Sequence, residues 1–231
     1  MRPVERGATP TMGRRAVRFI DYRSAREYLI GRLGPYCSYC EISHPSLAVE
    51  HIQPKSRHPR LWTRWSNFLL ACWSCNSVKG KKRVRIHAFV WPDRDNTHRA
   101  FSYDPHGSVA IGAGLSRKQH ALAVATMNLV GLDRTPATSP RASDSDRRWM
   151  IRRDTAAVAA RVHQLLSRQR TQEMKELAAM TARAQGCWSI WMRQFSGDPD
   201  MLSRLIDVFP GTAKNCWRPG GATRQRPRGK L

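Results

Sequence analysis

The sequence predicts an α+β chain: a small module of two short strands and a helix, followed by a mainly helical half. Three observations carry that expectation. Two Cys-x2-Cys pairs, Cys37/Cys40 and Cys72/Cys75, stand 31 residues apart. Between them lie short apolar runs of strand length, Leu47–Ile52 and Phe68–Ala71, each bounded by a turn or a cysteine. Beyond residue 115 apolar residues recur at helical spacing instead.

With 231 residues and 41% apolar composition the chain can bury a real core. Forty Lys+Arg against 17 Asp+Glu give a formal net charge of +23. A surface so unbalanced repels itself unless it meets a polyanion, which makes nucleic acid the favoured partner. No run approaches the roughly 20 apolar residues of a membrane span. The basic first residues contain no apolar core of a secretory signal, so a cytoplasmic, reducing location is expected. There cysteine pairs more often mean metal than disulfide, and the two remaining cysteines, Cys187 and Cys216, read as free thiols.

In order, residues 1–16 contain Gly, Pro and four arginines without apolar period, and predict a flexible basic arm. Residues 17–115 form the cysteine-bearing module. Its first helix is expected from Asp21 to Leu33, on Tyr22, Ala25, Leu29 and Leu33, and Gly34-Pro35 ends it. A strand is predicted at Leu47–Ile52, a turn or short helix over Pro59–Trp65, and a second strand at Phe68–Ala71. After Cys75 a helix with a dense basic face is expected to begin. Ile86–Trp91 reads as a strand, and Phe101–Asp104 with Gly107–Gly112 as a hairpin. Residues 116–209 predict helices at Ser116–Leu129, Arg147–Arg168, Gln172–Gln185 and Asp200–Val208, with a loop over Asp133–Asp146. Residues 210–231, with six Lys/Arg and no acid after Pro210, predict a disordered basic tail.

Two knuckles of this spacing supply four thiolates to one tetrahedral ion, so Cys37, Cys40, Cys72 and Cys75 are read as a structural Zn2+ site. Thiol–disulfide chemistry, the rival, would require only one of the pairs. Between the knuckles stand Glu50-His51-x2-Pro54 and Asn67, and directly after them Asn76-x2-Lys79. This order and spacing resembles the HNH endonucleases, a family with a ββα-metal fold, across residues 37–79. The resemblance implies His51 as general base and Glu50 and Asn76 as ligands of a catalytic Mg2+ or Mn2+, with Glu50 on the strand face opposite His51. It further implies Asn67 as the tether that orients the histidine loop. Lys55, Lys79, Lys81, Lys82, Arg83 and Arg85 would then hold phosphates. Asn76 stands where many members have histidine, and Glu50 where aspartate is common. The flanking stretches, from Cys37-Ser38-Tyr39-Cys40-Glu41 to Trp65-Ser66-Asn67-Phe68-Leu69-Leu70-Ala71-Cys72, are similar to HNH effectors of the Septu-type and retron-associated anti-phage systems. That narrower similarity implies an ATPase partner protein. The competing expectation is a non-catalytic zinc-binding nucleic-acid or assembly subunit.

Overall fold

The computed structural model describes residues 1–139 and 145–231. Three two-stranded antiparallel ladders and seven helices make up its regular part among those residues. The central ladder pairs β3 (Ala48–His51) with β4 (Phe68–Ala71) in the register Ala48–Ala71, Val49–Leu70, Glu50–Leu69 and His51–Phe68. Every residue of β4 is buried, as its unbroken apolar run requires. The helix α1 (Arg26–Leu33), entered through a 3-10 turn at Tyr22–Ala25, packs its Leu29 and Leu33 into the core beside β4. It stops at Gly34, whose positive φ of 75° suits a residue without Cβ.

After β4 comes α2 (Trp73–Lys79), so the local order is strand, strand, helix. The helix begins directly after Cys72, earlier than the sequence suggests, and Gly80 ends it. The basic run 81–85 therefore follows the helix rather than decorating it. Ile86–Ala88 forms a 3-10 turn in place of the expected strand, and Trp91 is held there by Asp95, which accepts its backbone N–H. The hairpin β5 (Phe101–Tyr103) and β6 (Val109–Ile111) falls where the sequence puts it.

The helical half consists of α3 (Arg117–Val130), α4 (Arg148–Arg168), α5 (Gln172–Gln185), α6 (Trp188–Gln194) and α7 (Pro199–Val208). Ser116 caps α3 through a reciprocal capping box with Gln119. Of the loop expected at Asp133–Asp146, residues 140–144 lie outside the described part. The short α6 has no expected counterpart. It is buried on almost every side, and with Trp188 and Trp191 both sealed from solvent it forms the core joint between α4, α7 and β5.

Both chain ends depart from expectation. Residues 1–6 are no free arm. Met1 is buried with its amine 3.1 Å from Glu41, and Arg2 donates to the carbonyls of Leu33 and Pro210. A two-stranded hairpin, β1 (Thr11–Met12) with β2 (Arg15–Ala16), follows. Residues 210–231 are likewise tied down. Asn96 donates to the carbonyls of Cys216 and Arg224, Asp95 accepts from the Lys230 N–H, and buried Arg226 donates to the carbonyls of Val4 and Pro92. Burying a cation is tolerable because these groups satisfy it. The two ends thus close over the module instead of extending from it.

Candidate active site and metal centre

The knuckles are built by backbone hydrogen bonds before any ion is considered. The Ser38 N–H donates to Leu70 O at 2.8 Å and the Cys37 N–H to Ile42 O at 3.0 Å, which joins the first knuckle to β4. Glu41, directly after Cys40, takes a left-handed φ of 66°. That strains a residue with a side chain. Its carboxylate offsets the strain by accepting from Ser189, through both N–H and hydroxyl, and by pairing with the Met1 amine.

All four sulfurs lie within 4.8 Å of one another, and Cys40 Sγ is 3.7 Å from Cys72 Sγ. Tetrahedral Zn–S bonds of ~2.3 Å place sulfurs about 3.8 Å apart, so the quartet fits one zinc ion. Packed this closely, the thiols compete for protons. Hydrogen bonding with Cys37 and Cys72 drives the Cys40 thiol up, burial drives Cys75 up, and contacts from Cys37 and Cys40 draw Cys72 far down. A dication resolves that competition by taking all four as thiolates. Sequence reasoning missed one further part. The guanidinium of Arg148 donates to Cys75 Sγ at 3.0 Å, to the carbonyls of Val130 and Gly131, and to Asp146.

The second centre opens beside the first, as a cleft of about 270 Å3 bordered by Tyr22, Glu50, His51, Lys55, Asn76 and Lys81. Glu50 and His51, expected on opposite strand faces, both border it. His51 Nε2 lies 2.7 Å from Trp62 O. A carbonyl can only accept, so Nε2 carries the proton and Nδ1 keeps the lone pair. The ring is fixed edge-on between Tyr22 at 4.7 Å and Phe68 at 5.3 Å. Burial lowers the imidazole pKa below its ordinary value, with Lys55 and Lys79 adding to the effect, so the ring is neutral at pH 7.

Asn67 holds the loop that bears Trp62. Its Oδ1 accepts from the Gln53 N–H at 2.8 Å, and its Nδ2 donates to Gln53 O at 3.0 Å and Leu61 O at 3.3 Å. The 52–66 segment is therefore anchored next to the carbonyl that orients His51.

Glu50 is 3% exposed, and burial raises its pKa against the pull of Lys79. Lys79 Nζ lies 2.6 Å from Glu50 Oε1 and donates to His51 O at 2.8 Å. Lys79, expected to reach substrate phosphate, is buried, borders the cleft and ties α2 to β3. Tyr39 donates to the same oxygen, Oε1, at 3.4 Å. The Lys79 ammonium and the Tyr39 hydroxyl occupy one carboxylate oxygen, Oε1. Carboxylate with amide oxygen is a hard donor set that suits Mg2+ or Mn2+ rather than zinc.

Of the remaining basic residues, Lys55 and Lys81 border the cleft. Lys55 Nζ reaches the Tyr22 hydroxyl at 3.1 Å and lies 4.2 Å above that ring. Lys82 turns away to Leu129 O, and Arg83 and Arg85 are exposed off the cleft. Tyr22, Trp62, Tyr39 and Arg148 are the contributors that motif reading does not find. Tyr22 alone left a signal, as the apolar residue opening the first helix.

Comparison with known proteins agrees with this geometry. Residues 37–82 match the family model described as HNH endonuclease. A relative from Vibrio cholerae serotype O1 biovar El Tor, under the provisional name Retron Vc95 HNH endonuclease, is 28% identical over 126 residues. That match covers 49% of this chain and 62% of the relative, so it spans less than two thirds of that protein's length.

Proposed function

We propose, from residues 37–82 as an HNH endonuclease domain, that the chain is a metal-dependent hydrolase of nucleic-acid phosphodiester bonds, with DNA as its preferred substrate. One observation carries this reading. A neutral histidine with its Nε2 proton committed to a backbone carbonyl faces a basic cleft that also holds a carboxylate and an amide.

His51 Nδ1 takes a proton from the attacking water, and the Trp62 carbonyl keeps the ring oriented while charge develops on it. Glu50 and Asn76 would hold the divalent ion. Lysine and tyrosine both sit on Glu50 Oε1, so Oε2 is the oxygen that remains for it. Such an ion, when bound, stabilises charge on the scissile phosphate and the leaving oxygen. Lys55 and Lys81 position the phosphate at the cleft mouth. The four cysteines hold structural zinc and do no chemistry on the substrate.

The retron name of the relative supports a role in anti-phage defence, and an ATPase partner belongs to that reading. The rival, a zinc-binding module without catalysis, draws support from the buried Lys79–Glu50 pair, which leaves the carboxylate neutralised without an ion. Supercoiled plasmid and a structured RNA, incubated with Mg2+, Mn2+ or no added divalent ion, separate the two readings. Metal-dependent nicking or linearisation of plasmid, faster than RNA breakdown, is expected. Binding to both without any cleavage favours the rival.

A further inference from the structure

A second cleft, of about 560 Å3, lies next to the first and is absorbed by none of the chemistry above. Arg18, Arg60 and Arg64 line it, together with Thr9, Phe19 and Trp65. Its floor is rigid. Phe19 stacks on Trp65 with centroids 5.9 Å apart and planes 16° from parallel, and the indole N–H donates to Gly7 O.

The three arginines differ from those that hold the fold. Arg2, Arg148 and Arg226 are buried and donate to named carbonyls or carboxylates. Arg18, Arg60 and Arg64 are exposed, and among the described residues none has an ion-pair partner or a side-chain hydrogen bond. Among the described residues no acidic one lines the cleft. Three like charges gathered around one cavity repel one another, and a polyanion relieves that repulsion.

The two clefts are joined through the chain itself. Phe19 lines the second and Tyr22 the first, and three residues span at most about 10 Å. Arg60, Thr63 and Arg64 flank Trp62, whose carbonyl holds His51. A strand whose scissile phosphate lies at His51 therefore has its neighbouring phosphates within reach of the arginines.

We propose that this cleft is a second phosphate-binding site, which grips the nucleic-acid backbone beside the scissile linkage; the proposal rests on the hydrolase reading. Guanidinium forks match phosphate oxygens in pairs. The cleft's two aromatic rings are buried in its floor and offer no face for a base, so the site holds backbone without reading sequence.

The test is the triple variant Arg18→Ser, Arg60→Ser, Arg64→Ser in the full chain. A charge-matched control, Arg161→Ser, Arg168→Ser, Arg183→Ser, alters exposed arginines of α4 and α5. Anisotropy of a labelled DNA duplex, titrated with salt and without added divalent ion, reads binding apart from cleavage. The cleft variant is expected to bind at least ~10-fold more weakly at low salt, with a log–log salt slope shallower by about 2 to 3. Hydrolysis of bis(p-nitrophenyl) phosphate with Mn2+, which needs only the His51 cleft, should be unchanged in that variant. Unaltered duplex binding, or equal weakening in the control, overturns the proposal. If the native chain leaves the small ester intact while the cleft variant alone loses duplex affinity, the hydrolase reading fails and the phosphate site stands.

Discussion

In the proposed mechanism His51 can act as a base because of what its other nitrogen does. Trp62 O fixes the Nε2 proton, and Asn67 fixes the loop that presents Trp62. Asn67→Ala should therefore reduce cleavage sharply while leaving the cysteine quartet, at the other end of β4, able to hold zinc. The lost hydrogen bonds to Gln53 and Leu61 should lower stability by about 2–4 kcal/mol, since buried partners are left unpaired. Denaturant unfolding, zinc content and plasmid cleavage on the same preparation check this; full activity in that variant would remove Asn67 from the account. That Glu50, His51 and Asn76 would share one cleft, with Asn67 holding the loop beside it, was legible because their order around the cysteines is specific. Lys79, expected as a phosphate ligand, is buried against Glu50, and its position held the clue. It stands four residues after buried Cys75 on α2, so it shares the inward face of that helix. The carbonyl that orients His51 could not be read, because a backbone oxygen leaves no residue signature.

The zinc centre is held by more elements than the two knuckles. Arg148, at the start of α4, joins Cys75 to the C-terminal end of α3 through Val130 O and Gly131 O, and Asp146 braces it from behind. Its side chain is 4% exposed and that of Asp146 7%, so removing the cation leaves a buried carboxylate alone. Arg148→Met should destabilise the fold by about 3–5 kcal/mol and speed zinc loss to a chelator. An unfolding transition unchanged from the native one, with unchanged zinc release, would show that the contact is incidental. The strands β3 to β6, the capped α3 and the amphipathic α4, α5 and α7 follow periodicity and were readable, whereas β1 and β2 were not. The short α6 was not, because a helix buried all round has no polar face to set a period. The same limit explains the chain ends. Residues 1–6 and 210–231 are ordered by Asn96, Asp95 and Arg226, partners more than 80 residues distant in most of the contacts they make. Local composition, basic and rich in Gly and Pro, gives no hint of them.

On the scale of the whole molecule, a net charge of +23 suits the gathering of polyanion over a wide surface, and in the proposed reading the two clefts fix where it lies. Gathering depends on salt and does not distinguish one sequence from another. Cleavage, in the proposed mechanism, depends on one buried histidine. In the proposed reading two metal centres share β3, β4 and α2 but differ in donors: sulfur for an ion that would hold the fold, oxygen for an ion that would serve the reaction. That division is the central claim, and plasmid cleavage by His51→Ala, with zinc content determined on the same protein, tests it most directly. The account predicts zinc bound as in the native chain, unchanged DNA binding, and cleavage in Mg2+ or Mn2+ reduced by at least ~100-fold, as loss of a general base requires. Cleavage at the native rate by a zinc-loaded His51→Ala protein would contradict it.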